Sequence, residues 1–399
     1  MQHLETIDDQ GPAMLQLVQS LCNINSGTFN LEGLAAVKQR LVDEFETLGG
    51  EIKLIDSEPM SIVDDSGAQV QQQLGQMIHI SKWPEASKKV LLCIHMDTVY
   101  PIGHTFQKCK TLNNGSINGP GVADAKGGIV VMLTALKALE TSSLAGKIGW
   151  EVLLNADEEI GSPGSIGVIK QIAACCDLGL LYEPALPDGT LVSWRKGSGN
   201  FSFVVRGKAA HAGREFEKGR NAIVAASRLI DEIANLNTDP EVTYNAGRIS
   251  GGGPLNVVPD LAIGRVNVRV KTEQQQAEVE SKFADLVKKF NQLDGISVEQ
   301  FGKFSSPPKP LCPKTQTIQE RIESAGAALG LPVQWRGTGG ASDGNKFAAA
   351  GLPNVDTLGV RGGSIHSSDE YLIPDSLAER AKLSALILLS YADEVESNS

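Results

Sequence analysis

Apolar positions recur every three or four residues over 12–24 and 33–48, with Leu34, Val37, Leu41 and Phe45 on one face. Both stretches read as amphipathic helices. Three β-rich apolar runs follow, at 89–94, 148–154 and 178–182, and each stops in polar chemistry: at His95, just before Asp157, Glu158 and Glu159, and at Glu183. Between the first two, a Gly-rich turn opens into GIVVMLTALKALE, a helix starting near Gly127. Strands alternating with helices predict a mainly parallel sheet, in which ligands bind outside the carboxyl ends of the strands. The polar clusters therefore converge on one edge of one sheet.

The rhythm changes after residue 200. Strand 201–205, helix 220–236, strands 242–249 and 262–270, helix 273–291 and strand 296–301 spell β-α-β-β-α-β. This reads as an inserted domain over 196–306. The stretch SSPPKP, 305–310, reads as its exit linker, because paired prolines continue neither strand nor helix. The first pattern then resumes, with helix 315–329, strand 332–336, helix 343–350, strand 354–359 and a closing helix from about Asp375. The expected fold class is α/β: a mixed, mainly parallel sheet flanked by helices, built from 1–195 and 307–399, with a βαββαβ unit inserted.

Charge and composition narrow the partners. Among 399 residues, 36 Lys and Arg stand against 47 Asp and Glu, a formal charge of −11, which disfavours nucleic acid or an anionic membrane surface. No run approaches the roughly 18 uninterrupted apolar residues of a membrane span, and residues 1–16 lack the basic start of a signal peptide. The six cysteines are scattered, without the paired spacing of a structural zinc site or the density of a disulfide scaffold, so a cytoplasmic setting is expected. Cys93 reads as a buried strand residue. The Gly-rich stretches at 250–254 and 337–344 lack the strand–GxxxxGK[ST]–helix context of a phosphate loop.

The candidate chemistry lies in HMDTVYP (95–101), NGPGVADAKGG (118–128), NADEEIGSPGS (155–165), YEP (182–184) and IHSSDEY (365–371). Imidazole with carboxylate suits a divalent ion, zinc above all, with cobalt or manganese also fitting. His95, Asp124, Glu159, Glu183 and His366 suffice for two ions sharing one carboxylate. Buried carboxylates repel unless a cation neutralises them, and several are expected at one sheet edge. Spacing alone leaves a solvated acidic edge as the alternative.

The ordered set H-M-D, G-P-G-V-A-D-A-K-G-G, D-E-E-I-G-S, Y-E-P, H-A-G, N-V-V-P and G-G-A-S-D…H-S resembles the glutamate carboxypeptidase/aminoacylase family of dizinc hydrolases, from about Leu91 to Tyr371. That family also includes acetylornithine deacetylase, succinyl-diaminopimelate desuccinylase and several dipeptidases. The resemblance implies that Asp124 bridges both ions, with His95 and Glu183 completing one site and Glu159 and His366 the other. It makes Asp97 the carboxylate that orients the His95 imidazole, and Glu158 the general base. His211 would reach an active site across a homodimer formed by the inserted domain and stabilise the oxyanion, while Asn256 and Arg269 would contact substrate. An arginine there implies a free carboxylate on the substrate.

Two positions depart from the family pattern. Ala125 follows Asp124 where relatives commonly carry Asp or Asn, which leaves open whether that peptide is cis. Asn267 stands where an Asp usually precedes the substrate arginine, which could loosen Arg269. The expected activity is metal-dependent hydrolysis of an amide bond in a small peptide or N-acyl-amino acid, carboxypeptidase-like and releasing a C-terminal residue such as glutamate. N-acyl-amino-acid deacylation or dipeptide cleavage is the alternative within the same chemistry. A metal-binding relative without catalysis is the alternative outside it.

Overall fold

The computed structural model describes residues 2–397. Its main sheet has six strands, in spatial order Glu51–Ile55, Met77–Lys82, Gly149–Asn155, Lys89–His95, Leu178–Leu181 and Asn354–Val355. The pairs made by Met77–Lys82 are antiparallel and the other three parallel. Successive strand residues face opposite sides, so a strand covered on both faces is apolar throughout. Val90, Leu92 and Ile94 pack with the helices Gly11–Cys22, Leu31–Glu46, Gly127–Glu140 and Ser376–Ser397. Leu91 and Cys93 face the other way, toward Ile169, Ile172 and Phe347 of the helices Ile166–Ala173 and Asp343–Ala349. Cys93 is buried, as expected.

Local chemistry sets the helix starts. Asn30 accepts a hydrogen bond from the Gly33 N–H at 3.2 Å, which begins the second long helix at Leu31, two residues ahead of the periodic pattern. Ser342 caps the Asp343–Ala349 helix in a capping box with Asn345. The strands Glu51–Ile55 and Met77–Lys82 escape the periodicity reading because EIKLI and MIHISK mix charged and apolar residues near the sheet edge.

Two expected elements shift. The segment expected as strand 332–336 forms Trp335–Thr338, which pairs in parallel with Leu191–Arg195 in a separate two-stranded ribbon. Only Asn354–Val355 of the expected 354–359 strand joins the main sheet. The stretch read as an exit linker is not loose. Ser305 and Ser306 finish the strand Ser297–Ser306, and Lys309 is buried with its ammonium 2.7 Å from Asp356. Lys309 also exchanges main-chain hydrogen bonds of 3.0 Å with Arg195.

The inserted sheet runs Thr243–Gly251, Leu261–Val270, Gly197–Arg206, Ser297–Ser306, all antiparallel. The helices Ala222–Ala234 and Glu273–Phe290 cover one face. There Phe283 meets Phe201 and Phe203 edge-on at centroid distances of 5.0 and 5.2 Å. A hairpin of the main part, Met60–Val63 with Gln69–Gln72, leans on this sheet. The Arg265 and Arg206 guanidiniums donate to the carbonyls of Val63 and Gly67 at 3.0 and 3.1 Å.

Candidate active site

The polar clusters meet where the central strands end. His95 closes its strand, and its Nε2 lies 3.0 Å from Asp124 Oδ1 and 3.8 Å from Glu183 Oε2. The other oxygen of Asp124 faces the second imidazole, with His366 Nε2 at 3.2 Å, and the same nitrogen is 3.1 Å from Glu159 Oε2. One carboxylate thus stands between two histidines that belong to distant parts of the chain. The turn Val122–Lys126 that carries Asp124 is buried, and its Asp124–Ala125 peptide is cis. His366 adopts φ +60°, a left-handed backbone that costs a non-glycine residue roughly 1–3 kcal/mol and clusters at functional sites.

Asp97 is fully buried and holds two things at once. The His95 Nδ1 is 3.0 Å from its main-chain oxygen and 3.3 Å from its Oδ1, so Nδ1 carries a proton and Nε2 turns toward Asp124. The carboxylate also accepts the main-chain N–H groups of Glu158 and Glu159, at 3.2 and 3.3 Å, and the Thr28 hydroxyl at 2.7 Å. Its grip fixes the short turn Glu158–Ile160. That turn sends the neighbouring carboxylates to different partners. Glu158 converges with His95 and Glu183, whereas Glu159 converges with His95 and Asp124, the ligand atoms of each trio lying within 4.8 Å of one another.

Electrostatics follow from burial and crowding. Burial, then the charge of Glu183, pushes the Glu158 carboxyl well above the usual range. Burial pushes Glu183 up to about 8, and burial with the charge of Asp124 pushes Glu159 up to about 7. Hydrogen bonds to Asp124 and Glu159 raise His366 to about 11. Burial pulls the other way at His95, but Asp124 and Asp97 hold its proton affinity well above the ordinary imidazole value. Burial would raise Asp124, yet the two imidazoles hold it below the usual carboxylate range. Carboxylates so crowded and desolvated are stabilised as anions only by nearby positive charge, which protons supply here and divalent ions would supply better. The donor set fits such ions.

Three supporting acids escaped the sequence reading. Glu370 is buried and accepts the N–H groups of Gly121, Ala123 and Asp124 at 3.2, 3.0 and 3.1 Å, and the Tyr100 hydroxyl at 2.8 Å. It ties the turn of Asp124 to the loop of His366. Asp343 accepts from Asn155 at 2.6 Å, Lys346 at 2.9 Å and the Ser162 hydroxyl, anchoring both ends of the acidic loop. Asp356 binds Arg195 and Lys309 at 2.8 and 2.7 Å. Their signal in sequence is faint: Glu370 lies in IHSSDEY and Asp343 in GGASD, but nothing local says that either is buried.

A cavity of about 420 Å³ opens beside this cluster, lined by Asp124, Glu158, Glu183 and His366 and by Arg195, Arg269 and Arg336. Arg269 donates from Nε to Asn267 Oδ1 at 3.0 Å, so the Asn that replaces the family's Asp still holds it and leaves its fork free. Arg336 is exposed on the same wall. His211 and Asn256 lie elsewhere. The Ala212 N–H donates to the Asn256 carbonyl at 2.9 Å, which keeps the two residues together, exposed on the inserted part and outside this cavity.

Residues 91–390 match the model of peptidase family M20/M25/M40. The chain belongs to that family. As an M20 peptidase it is an enzyme of the metallopeptidase and amidohydrolase kind, one that hydrolyses amide or peptide bonds. It is 28% identical over 396 residues to carboxypeptidase G2 of Pseudomonas sp. (strain RS-16), a match that covers 96% of this chain and 90% of that protein. The fold matches a Staphylococcus aureus tripeptidase with a TM-score of 0.75 at 23% identity, over 96% of this chain and 99% of that one. It also matches a dinuclear metal-binding M20 peptidase of Bacillus subtilis, with a TM-score of 0.67 at 16% identity, over 97% and 99%. No helix among the described residues is long and apolar enough to cross a membrane.

Proposed function

We propose that this M20 enzyme is a dinuclear-metal hydrolase that removes a C-terminal amino acid, such as glutamate, from a small peptide or N-acyl-amino acid. The observation that carries this reading is Asp124 divided between His95 and His366, with Glu183 beside the first and Glu159 beside the second. His95, Asp124 and Glu183 would hold one ion and Asp124, Glu159 and His366 the other. Zinc fits these donors best. The chemistry supplied by divalent ions bound there would be Lewis acidity, polarising the scissile carbonyl and lowering the pKa of a bound water.

The chain's own groups do the rest. Glu158 takes a proton from the attacking water and returns it to the leaving amine, a task suited to a carboxyl whose proton affinity burial has raised. Asp97 keeps the Glu158 turn and the His95 ring in register. Arg269 receives the substrate's terminal carboxylate with its free fork. The test is a hydrolysis screen of acyl-glutamates, dipeptides and N-acetyl-amino acids, with and without chelator. Chelator-sensitive cleavage is expected, and kcat/KM for an acyl-amino acid should exceed that of its C-terminal amide by about tenfold or more, the worth of a charged hydrogen bond. Cleavage that survives metal removal overturns the metal role, and equal kcat/KM for acid and amide removes the role of Arg269.

His211 and Asn256 enter this reading through a second copy. Both are exposed in one chain, and the surface around them exposes Phe216, Val224, Leu255 and Val257. Such a patch suits burial in a subunit contact, through which His211 would reach a partner's oxyanion. Light scattering at micromolar concentration should return the mass of a dimer. A monomer there, with full activity, rules the arrangement out.

A further inference from the structure

Opposite in character to the arginine-lined cavity is a second one of about 360 Å³, whose lining includes Glu159 and the apolar Phe29, Val99, Pro101, Ile102 and Ile160, together with the uncharged polar Thr28, Asn30 and Thr98. Three of these side chains are strongly solvent-facing: Phe29 is 55% exposed, Val99 37% and Ile102 71%. Single exposed apolar residues need no explanation, but several gathered around one hollow mark a binding surface.

The shelf is firmly built and tied to the acidic cluster. Its two loops exchange main-chain hydrogen bonds, Thr28 N–H to the Thr98 carbonyl at 3.2 Å and Thr98 N–H to the Ser26 carbonyl at 3.0 Å. The Asn25 amide donates to the Tyr100 carbonyl at 3.0 Å. Thr28 also donates to Asp97, the residue that grips the Glu158–Glu159 turn. The apolar wall is therefore in register with the reacting groups.

We infer that this shelf is the subsite for the acyl side of the scissile bond, and that it selects an apolar acyl group of aromatic or branched-aliphatic size. The inference rests on the hydrolase reading above. In an N-acyl-amino acid the carboxylate lies on the amine side of the amide. With that carboxylate among Arg269 and Arg336, the acyl group passes over the acidic cluster and leaves by Glu159, where the apolar shelf begins. An anionic acyl group finds no counter-charge there, because Glu159 is the shelf's one charged side chain.

The experiment compares kcat/KM of the full chain, loaded with zinc, for the N-acetyl, N-succinyl, N-isovaleryl and N-phenylacetyl derivatives of one amino acid. The phenylacetyl and isovaleryl forms should exceed the acetyl form by about tenfold or more, as a hydrophobic pocket gives, and the succinyl form should not. In the double variant Phe29→Ser, Ile102→Ser the phenylacetyl-to-acetyl ratio should collapse toward one. A ratio near one in the unaltered enzyme, or one that survives the double substitution, overturns the assignment. Failure of the hydrolase reading shows separately, as no cleavage of any derivative. The subsite is then read by calorimetry of phenylacetate against acetate on the zinc-loaded protein, where the same tenfold preference and its loss in the variant are expected, and an unchanged ratio overturns it. A change of oligomeric state in the variant with an unaltered ratio would make the shelf a subunit contact instead.

Discussion

Glu158→Gln should lower kcat by about 10²–10⁴-fold, the usual worth of a general base, while metal content stays at the unaltered level. The geometry argues for this split. Glu158 sits on the Glu158–Ile160 turn, whose main-chain N–H groups are fixed by Asp97, so a neutral amide of the same shape leaves the turn in place. Its carboxyl converges with His95 and Glu183, close enough to take a proton from a water held there. In the proposed ligand sets it holds no ion. Glutamine keeps the size and loses only the capacity to accept and return the proton. Turnover and metal analysis on the same sample decide the matter: full kcat with full occupancy removes Glu158 as the base, and lost metal would make it a ligand instead.

Asp124→Ala should abolish turnover by removing the shared ligand, and occupancy should fall at both sites rather than one. Each oxygen of Asp124 faces a different imidazole, at 3.0 and 3.2 Å, so one substitution opens both positions. Metal analysis after dialysis checks this, and retention of two ions would show that Asp124 does not bridge. Proton release accompanies the same event. His366 is raised to about 11, so in the metal-free protein its imidazole is protonated at pH 7 and that proton must leave when an ion binds, and His95 is shifted in the same direction. Glu183, raised to about 8, gives up a further share. Because the free protein binds more protons than the loaded one, metal affinity should rise with pH up to those values. Titration calorimetry in buffers of different ionisation enthalpy reads the release directly, and a buffer-independent enthalpy would contradict it.

Much of the candidate site is legible in the sequence because of where apolar runs stop. Residues 89–94 are apolar because that strand is covered on both faces, and the next residue, His95, emerges at the sheet edge where ligands bind. The same logic exposed the acids after 148–154 and after 178–182. Other parts were hidden for equally physical reasons. Glu370 and Asp343 look like ordinary surface acids in sequence, since burial depends on what packs over them. Arg336 lies on a strand that pairs with Leu191–Arg195, a partner some 140 residues away that no local periodicity names. The edge strand Glu51–Ile55 and its neighbour Met77–Lys82 were missed because charged and polar residues among the apolar ones blur the pattern.

By itself the sequence determined the class of fold, the family, and which imidazoles and carboxylates are available, because these follow from periodicity and from motifs a few residues long. Tertiary structure alone decided how those groups face one another: the oxygen of Asp124 given to each histidine, the double grip of Asp97, the arginines on one flank and the apolar shelf on the other. These are contacts between residues far apart along the chain. They are set by how strands, turns and helices pack around a shared core, which local pattern does not carry.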